Sequence, residues 1–303
     1  MKVSIKSIIK GLLSYTPLKT VFVRKGTGGT DSARYCYSVW LRHLVLLNES
    51  GMKNHPEIIA ELGPGDSLGI GLAALITGAE KYYAFDVIEH TNLKSNLKIL
   101  DELIELFNQK ADIPAENEFP ELKPRLNDYK FPTKLVNNLA SKEKLEKIRK
   151  NLLGEDDTII KYFVPWEKFN GLENSVDLIY SQAVMEHISD LQNAYKIMYK
   201  WLKKGGFISH QIDYKAHETH KIWNGHWKYN DFLWKIIMHG RSYPINRYPH
   251  SFHVSLIEDA GFNIKKVLKD ERFDGYKINQ FLKLRYFIEE DFITASAHII
   301  AEK

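Results

Sequence analysis

Cysteine is nearly absent from this chain: Cys36 stands alone among 303 residues. A single thiol excludes an intramolecular disulfide framework and a cysteine-rich metal site, and it fits a reducing compartment. Long apolar runs are absent too. Nothing approaches the ~18 uninterrupted apolar residues of a membrane-spanning helix. Lys2, Lys6, Lys10 and Lys19 break up the N-terminal stretch, which leaves no apolar run long enough for a signal peptide. A cytoplasmic protein without a membrane span is expected. Ile5, Ile8, Ile9, Leu12 and Leu13 lie at helical spacing between those lysines. They read as a short helix packed on the domain and ended by Pro17, in preference to a membrane-surface helix. A large charge of one sign is also missing. The 42 Lys and Arg against 38 Asp and Glu leave +4, too little to point to nucleic acid. With 44% hydrophobic and 26% charged residues, the chain is neither disordered nor collagen-like, and it is long enough to bury a full core.

What is present is unevenly spread. Residues 1–60 hold nine Lys and Arg and three Asp and Glu, whereas residues 101–130 hold four and eight. Seven of twelve histidines lie between His210 and His253, and four of six tryptophans between Trp201 and Trp234. The last third therefore contains a ring-rich segment distinct from the rest.

Periodicity gives strands alternating with helices. Helices are expected through Tyr35–Leu47, Leu68–Thr77, Leu93–Phe107, Lys134–Leu153, Asp190–Leu202 and Val254–Ala260. Strands are expected at Glu57–Leu62, Lys81–Val87, Thr158–Val164, Ser175–Ser181, Phe207–Asp213, Phe262–Leu268 and Phe292–Ala301. Pro114, Pro120, Pro124 and Pro132 forbid a long regular element across 109–132. Parallel neighbours need helical crossovers, so the alternation predicts an α/β fold: a Rossmann-like, doubly wound, mostly parallel sheet with helices on both faces. Residues 1–55 read as an N-terminal helical segment and 56–303 as the domain, with an insertion at 104–155 and a cap segment at 214–253.

The most informative stretch is Glu61-Leu62-Gly63-Pro64-Gly65-Asp66-Ser67-Leu68-Gly69, which follows a predicted strand and opens a predicted helix. Glycines there permit a sharp turn and close backbone approach to a ligand, and free N–H groups at the helix start favour an anion. Asp86 ends the next strand, where a carboxylate can accept from both hydroxyls of a ribose. The dinucleotide fingerprint places a third glycine at the position held here by Leu68, and Glu61 would sit badly beside a pyrophosphate. An acid there suits a cationic sulfonium or α-amino group.

In these residues the chain resembles class I S-adenosylmethionine-dependent methyltransferases, in particular bacterial small-molecule methyltransferases. ELGPGDS resembles their first motif, Asp86 the acid ending the second strand, SVDLIYSQAVMEHI (Ser175–Ile188) the fourth-strand motif, and LKKGGFIS (Leu202–Ser209) the approach to the fifth strand. Ser67 stands where many members carry a third glycine. The resemblance implies S-adenosyl-L-methionine as cofactor. It implies that Glu61 orients the methionine end above Gly63 and Gly65, and that Asp86 holds the ribose. Trp166 would meet the adenine, and Ser181 and Gln182 would border the sulfonium.

Methyl transfer to oxygen needs a near-attack pose and a base for the hydroxyl proton, a task suited to histidine. The candidates are His210, Asp213 and His187. Because side chains alternate along a strand, His210 and Asp213 face one pocket only if the fifth strand has ended by Ile212. His210, Asp213, His217 and His220 could be read as metal ligands, but their spacing matches no metal pattern, and no metal is expected. Arg241 and Arg247 in the cap could bind an anionic or hydroxyl-rich acceptor. Tyr35, Trp40 and Arg42 could close the cofactor side. The expected function is methyl transfer to a small molecule, with neither nucleic acid nor membrane as partner; the sequence leaves the oligomeric state open. A nicotinamide-dependent oxidoreductase and a non-catalytic nucleoside-binding protein on the same fold are the alternatives.

Overall fold

A computed structural model describes residues 29–166, 169, 171–241, 243–280 and 287–303. The amphipathic stretch expected at Met1–Thr20 lies outside them. Helix α1 (Ala33–Glu49) begins where the side chain of Ser32 accepts from the Tyr35 amide, as an N-cap residue does. Then follow β1 (Ile58–Leu62), α2 (Gly69–Thr77), β2 (Lys81–Phe85), α3 (Leu93–Asn108), α4 (Lys142–Leu152), β3 (Ile160–Phe163), β4 (Val176–Gln182), α5 (Leu191–Trp201) and β5 (Leu202–Asp213). The chain continues through α6 (Asp231–Met238), α7 (His250–Asp259), β6 (Asn263–Glu271) and β7 (Thr294–Glu302).

The strands form one sheet in the order β3-β2-β1-β4-β5-β7-β6. The first five run parallel, and β7 runs antiparallel to both β5 and β6. This is the expected Rossmann-like α/β fold. The reversal of β7 was not legible in the strand pattern. Its cause is the connection from β6, whose described residues hold two single 3₁₀ turns (Ile278–Gln280 and Glu289–Phe292) and no crossover helix, so the chain returns antiparallel.

Two cores flank the sheet. One packs α1, α2 and α3 with insertion residues such as Ile113, Leu122, Val136 and Ile148; the other packs α5 and α7 with Trp223 and Trp227. Every residue of α2 is buried, so this helix is apolar all round rather than amphipathic. A small third cluster, Tyr229, Trp234, Ile237 and Ile245, gives the cap segment its own core.

Several boundaries differ from expectation for local reasons. The helix foreseen from Lys134 starts at Lys142, because Ser141 caps it and the preceding chain is drawn off, with the Ala140 amide bonded to the Ile76 carbonyl at 2.8 Å. Helix α7 begins at His250, directly after Pro249, so it takes in residues assigned to the cap. Strand β5 begins at Leu202, five residues early, because it pairs with β4 across an irregularity between Val176 and Leu178.

The insertion docks on α1. Tyr37 Oη donates to the Ala111 carbonyl and Ser38 Oγ to the Pro114 carbonyl, at 2.5 and 2.9 Å. Arg42, fully buried, donates to the carbonyls of Pro114 and Pro124 and lies 3.6 Å from Glu116. Trp40 is buried too, its Nε1 donating to Thr77 Oγ1 at 2.8 Å. Arg42 and Trp40 therefore anchor the helix layer instead of closing the cofactor side.

Gly71 offers a test of this packing. A Cβ built there would meet the Tyr82 ring at 2.1 Å. Gly71→Ala should therefore cost about 1–3 kcal/mol through overpacking, read as a lower urea midpoint at unchanged m-value.

Candidate active site

The site is built at the carboxyl ends of the central strands. Gly63 and Gly65 both take left-handed φ, +65° and +74°, which glycine adopts without strain. At Gly63 the lack of a side chain also admits Val184 from the loop after β4: a Cβ would meet Val184 Cγ2 at 2.6 Å. The bare turn therefore serves packing between two loops.

Glu61 points beneath this turn. Its Oε2 accepts from Tyr82 Oη at 2.5 Å and Tyr180 Oη at 3.1 Å, and the residue is 1% exposed. Burial raises its pKa to about 7, against the hydroxyl donors and the Gly71 amide, which lower it. The carboxyl thus ties β1, β2 and β4 together through Oε2 in the α2 layer.

The start of α2 differs from expectation as well. The Asp66 amide donates to Thr30 Oγ1, the Leu68 amide to Asn96 Oδ1 and the Gly69 amide to Ser67 Oγ, at 2.9, 2.9 and 3.0 Å. These amides are spent inside the protein and do not form the anion cradle read from the sequence.

Asp86 has the opposite character. Its Oδ1 accepts from the Val87 amide at 2.7 Å, while Oδ2 is buried and has no hydrogen-bond partner among the described residues. Burial raises its pKa, offset by the Val87 amide, His90 and the amides of Ile88 and Gly65. An orphaned buried oxygen is uncommon and marks a place where a ligand or water belongs. Around it Val87, Ile88 and Val164 are unusually exposed for apolar residues. The half-buried Trp166 follows, its amide bonded to the Asp86 carbonyl at 3.0 Å.

The loop after β4 and the cap segment meet above this edge. Met185–His187 form a 3₁₀ turn, which Asn246 clamps: its amide donates to the Glu186 carbonyl at 2.7 Å, and its Nδ2 to the carbonyls of Met185 and Ile188, both at 3.0 Å. His187 Nδ1 lies 3.0 Å from the Pro244 carbonyl. A carbonyl only accepts, so Nδ1 carries the proton and Nε2 of the neutral ring carries the lone pair. Burial lowers the His187 pKa, which favours that neutral form. Tyr243 spans the site, with its Oη 3.4 Å from His90 Nε2 on one side and its ring 6.2 Å from His187 on the other.

Asp213 and His187 come together around His217. His217 Nε2 lies 3.4 Å from Asp213 Oδ2, and its ring is 5.6 Å from that of His187. His217 takes a left-handed φ of 40°, a strained backbone of the kind that clusters at functional sites. The Asp213 pKa is lowered, chiefly by the hydrogen bond and charge of His217 and by Lys215 working against burial; that of His217 is raised by Asp213 and Glu186, again against burial.

His210 is not part of this group. Strand β5 runs to Asp213, so the condition for His210 and Asp213 to share a pocket fails. His210 lies on the other face, fully buried, with Nδ1 2.8 Å from Ser181 Oγ, and burial lowers its pKa to about 3. Ser181 is thereby engaged, and Gln182 Nε2 donates to the Lys123 carbonyl of the insertion at 3.0 Å. Gln182 Oε1 stays buried and without a hydrogen-bond partner among the described residues. The cap arginines are committed too. Arg247 donates to the Tyr229 carbonyl and to Asp231, and Arg241 Nε donates to the Ile237 carbonyl at 2.9 Å.

Sequence reasoning missed Glu186, Tyr243 and Asn246 as site residues. Asn246 and Tyr243 stood among the cap's many polar and aromatic residues with no spacing to single them out. Glu186 could have been found only as the acid next to a histidine in the fourth-strand motif. No group of three or more His, Cys, Asp or Glu among the described residues is placed to hold a metal ion, and no described helix is long and apolar enough to cross a membrane.

Residues 140–209 match the family model described as "Methyltransferase domain". No curated protein matches the chain. Among solved structures it is similar to an S-adenosylmethionine-dependent methyltransferase of Mesorhizobium loti at 16% identity, covering 88% of this chain and 98% of that one, with a TM-score of 0.45. It is also similar to the geranyl diphosphate C-methyltransferase of Streptomyces coelicolor, at 11% identity, 86% and 76% coverage and a TM-score of 0.45.

The buried Glu61 makes stability depend on pH with a defined sign. Folding raises its pKa from 4.5 to about 7, so between these values the folded state holds a proton that the unfolded chain releases. Its contribution is complete below pH 4.5, declines as pH rises to about 7, and is constant beyond. Glu61→Gln should flatten this decline in urea midpoints measured across the window. Glu186 adds a similar slope in both proteins, which cancels in the comparison.

Proposed function

From a chain that carries a class I S-adenosylmethionine-dependent methyltransferase domain, we propose an enzyme that moves a methyl group from S-adenosyl-L-methionine to a hydroxyl of a small-molecule acceptor. The observation that carries this reading is Asp86 Oδ2, buried and without a partner beside the left-handed Gly63–Gly65 turn. A vicinal ribose diol supplies the donors that this oxygen lacks. Val87, Ile88, Val164 and Trp166 offer the adenine an apolar slot beside it. The donor set fits a nucleoside and not a dinucleotide, because the amides a pyrophosphate would need at the start of α2 already have partners. This argues against the nicotinamide alternative.

Bound there, the cofactor supplies a methyl carbon on a sulfonium, whose sulfur keeps the electron pair of the broken C–S bond as the acceptor oxygen bonds to carbon. The protein's part is positioning and proton removal. Three features support His187 as the base in this reading: the Pro244 carbonyl fixes its Nδ1–H, its neutral form is favoured, and Nε2 is left to take the hydroxyl proton. Asp213 holds His217 and sets the charge beside it. Of the candidate bases, His187 and Asp213 stay in the assignment, and His210 becomes a buried structural partner of Ser181. Glu61 shapes the turn from below. The domain takes in residues 56–303, and residues 104–155 and 214–253 frame the acceptor. The described residues of the N-terminal 1–55 segment pack against it through α1.

S-adenosylhomocysteine should raise the melting temperature of the purified chain, and NAD should not, since a ligand of the folded state stabilises it by mass action. Asp86→Ala should abolish the S-adenosylhomocysteine shift; an unchanged shift would refute the ribose assignment. His187→Ala should slow transfer of labelled methyl into acceptors of a cell extract by about 10²–10⁴-fold, while the S-adenosylhomocysteine shift persists.

A further inference from the structure

Glu186 is the least explained group in the molecule. It is 3% exposed, and neither carboxyl oxygen has a hydrogen-bond partner among the described residues. A buried carboxyl left this way is costly, yet the structure goes to some length to hold it: Asn246 fixes its backbone from the cap. The groups that act on it electrostatically are Asp213, His217 and the amides of Glu186 and Asp213. No lysine or arginine is among them. The nearby Lys215 is paired with Asp213 at 3.3 Å, and both cap arginines are bound within the cap. One other buried polar atom close to the same charges also lacks a hydrogen-bond partner among the described residues: His226 Nδ1, whose ring feels both His217 and Asp213.

This environment is acidic and poor in cations, so it disfavours a phosphorylated or carboxylated acceptor. We propose that Glu186 is a specificity-determining residue that seats a cationic amino group of the acceptor, on the same molecule that offers its nucleophile to His187. The proposal rests on the methyltransferase reading for the position of the transferred methyl. The chemistry is complementary in three respects. An ammonium brings up to three N–H donors to two unpartnered oxygens. Its charge adds to that of His217 as countercharge to a buried acid. The buried rings of Tyr195 and Tyr214, which feel the Glu186 charge, keep its surroundings apolar and so strengthen a charge pairing there. Burial and Asp213 raise the Glu186 pKa to about 8. Without a cation the group keeps its proton near neutrality, and an ammonium brought alongside reverses that preference.

The test uses two probes of nearly equal shape, 2-phenylethylamine and 2-phenylethanol, added to the full chain saturated with S-adenosylhomocysteine and followed by thermal shift. The amine should raise the melting temperature and the alcohol should have little effect. Glu186→Gln, close in shape and uncharged, should keep the S-adenosylhomocysteine shift and bind the amine about tenfold or more weakly. Retention of the cofactor shift certifies that the variant is folded. Equal responses to amine and alcohol, no response to either, or an undiminished amine response in Glu186→Gln would each overturn the proposal. Absence of an S-adenosylhomocysteine shift in the unmodified chain would instead overturn the methyltransferase reading, so the two failures are distinguishable.

Discussion

The structure turns on one acid kept dry beneath a turn. Glu61 sits one residue before the end of β1, and its oxygen is shared by hydroxyls from β2 and β4. A carboxyl in that layer without partners would cost several kcal/mol; with two phenols and an amide it becomes a clamp across three central strands. The clamp fixes where β1 ends, and so where the chain must turn through Gly63 and Gly65. It also explains why α2 packs so closely, with Gly71 directly on the Tyr82 ring. Removing water from this layer is what allows Tyr82 and Tyr180 to stand side by side with an acid in the middle of an apolar core.

From that clamp follows the selectivity of the edge above it. With the turn pressed against Val184 and the first amides of α2 consumed by Thr30, Asn96 and Ser67, the strand tips offer little to a phosphate. They do offer one open carboxylate oxygen on Asp86 and an apolar shelf beside it. On the proposed reading the glycine turn is a floor for a nucleoside and not a cradle for a pyrophosphate, and the difference lies in which backbone donors are already satisfied.

Much of this was legible in the chain, and the limits have physical causes. Strands buried on both faces read as short apolar runs, and β1, β2 and β4 were found within a residue or two. The turn and Asp86 were legible because glycines and an acid recur at a spacing that a βαβ unit imposes. Three things were not. The reversal of β7 depends on a connection with no periodic signal. The direction of Glu61 depends on Tyr82 and Tyr180, partners distant in sequence that an alternation rule cannot pair. The separation of His210 from Asp213 depends on the strand continuing past Ile212. Alternation named the alternatives but could not say where the strand would stop. In the cap, Arg241 and Arg247 resembled ligand-binding cations, and only the fold reveals that backbone carbonyls and Asp231 use them.

On the proposed reading, adjacent residues 186 and 187 share one response to burial. Burial disfavours charge whichever sign it has: it raises the pKa of an acid and lowers that of a base. Glu186 and His187 lie on one clamped turn and respond in opposite directions, so both tend to neutrality at the same pH. Asp213 and His217 escape this by pairing with each other. The edge therefore holds Asp213 paired with His217 and Lys215, beside two groups that burial pushes toward neutrality. A neutral imidazole is the form that can accept a proton, and a neutral carboxyl is the form that can give one up to pair with a cation. Dehydration thus prepares both groups without either bearing charge in advance, and the ligand's own charge sets when the site becomes polar.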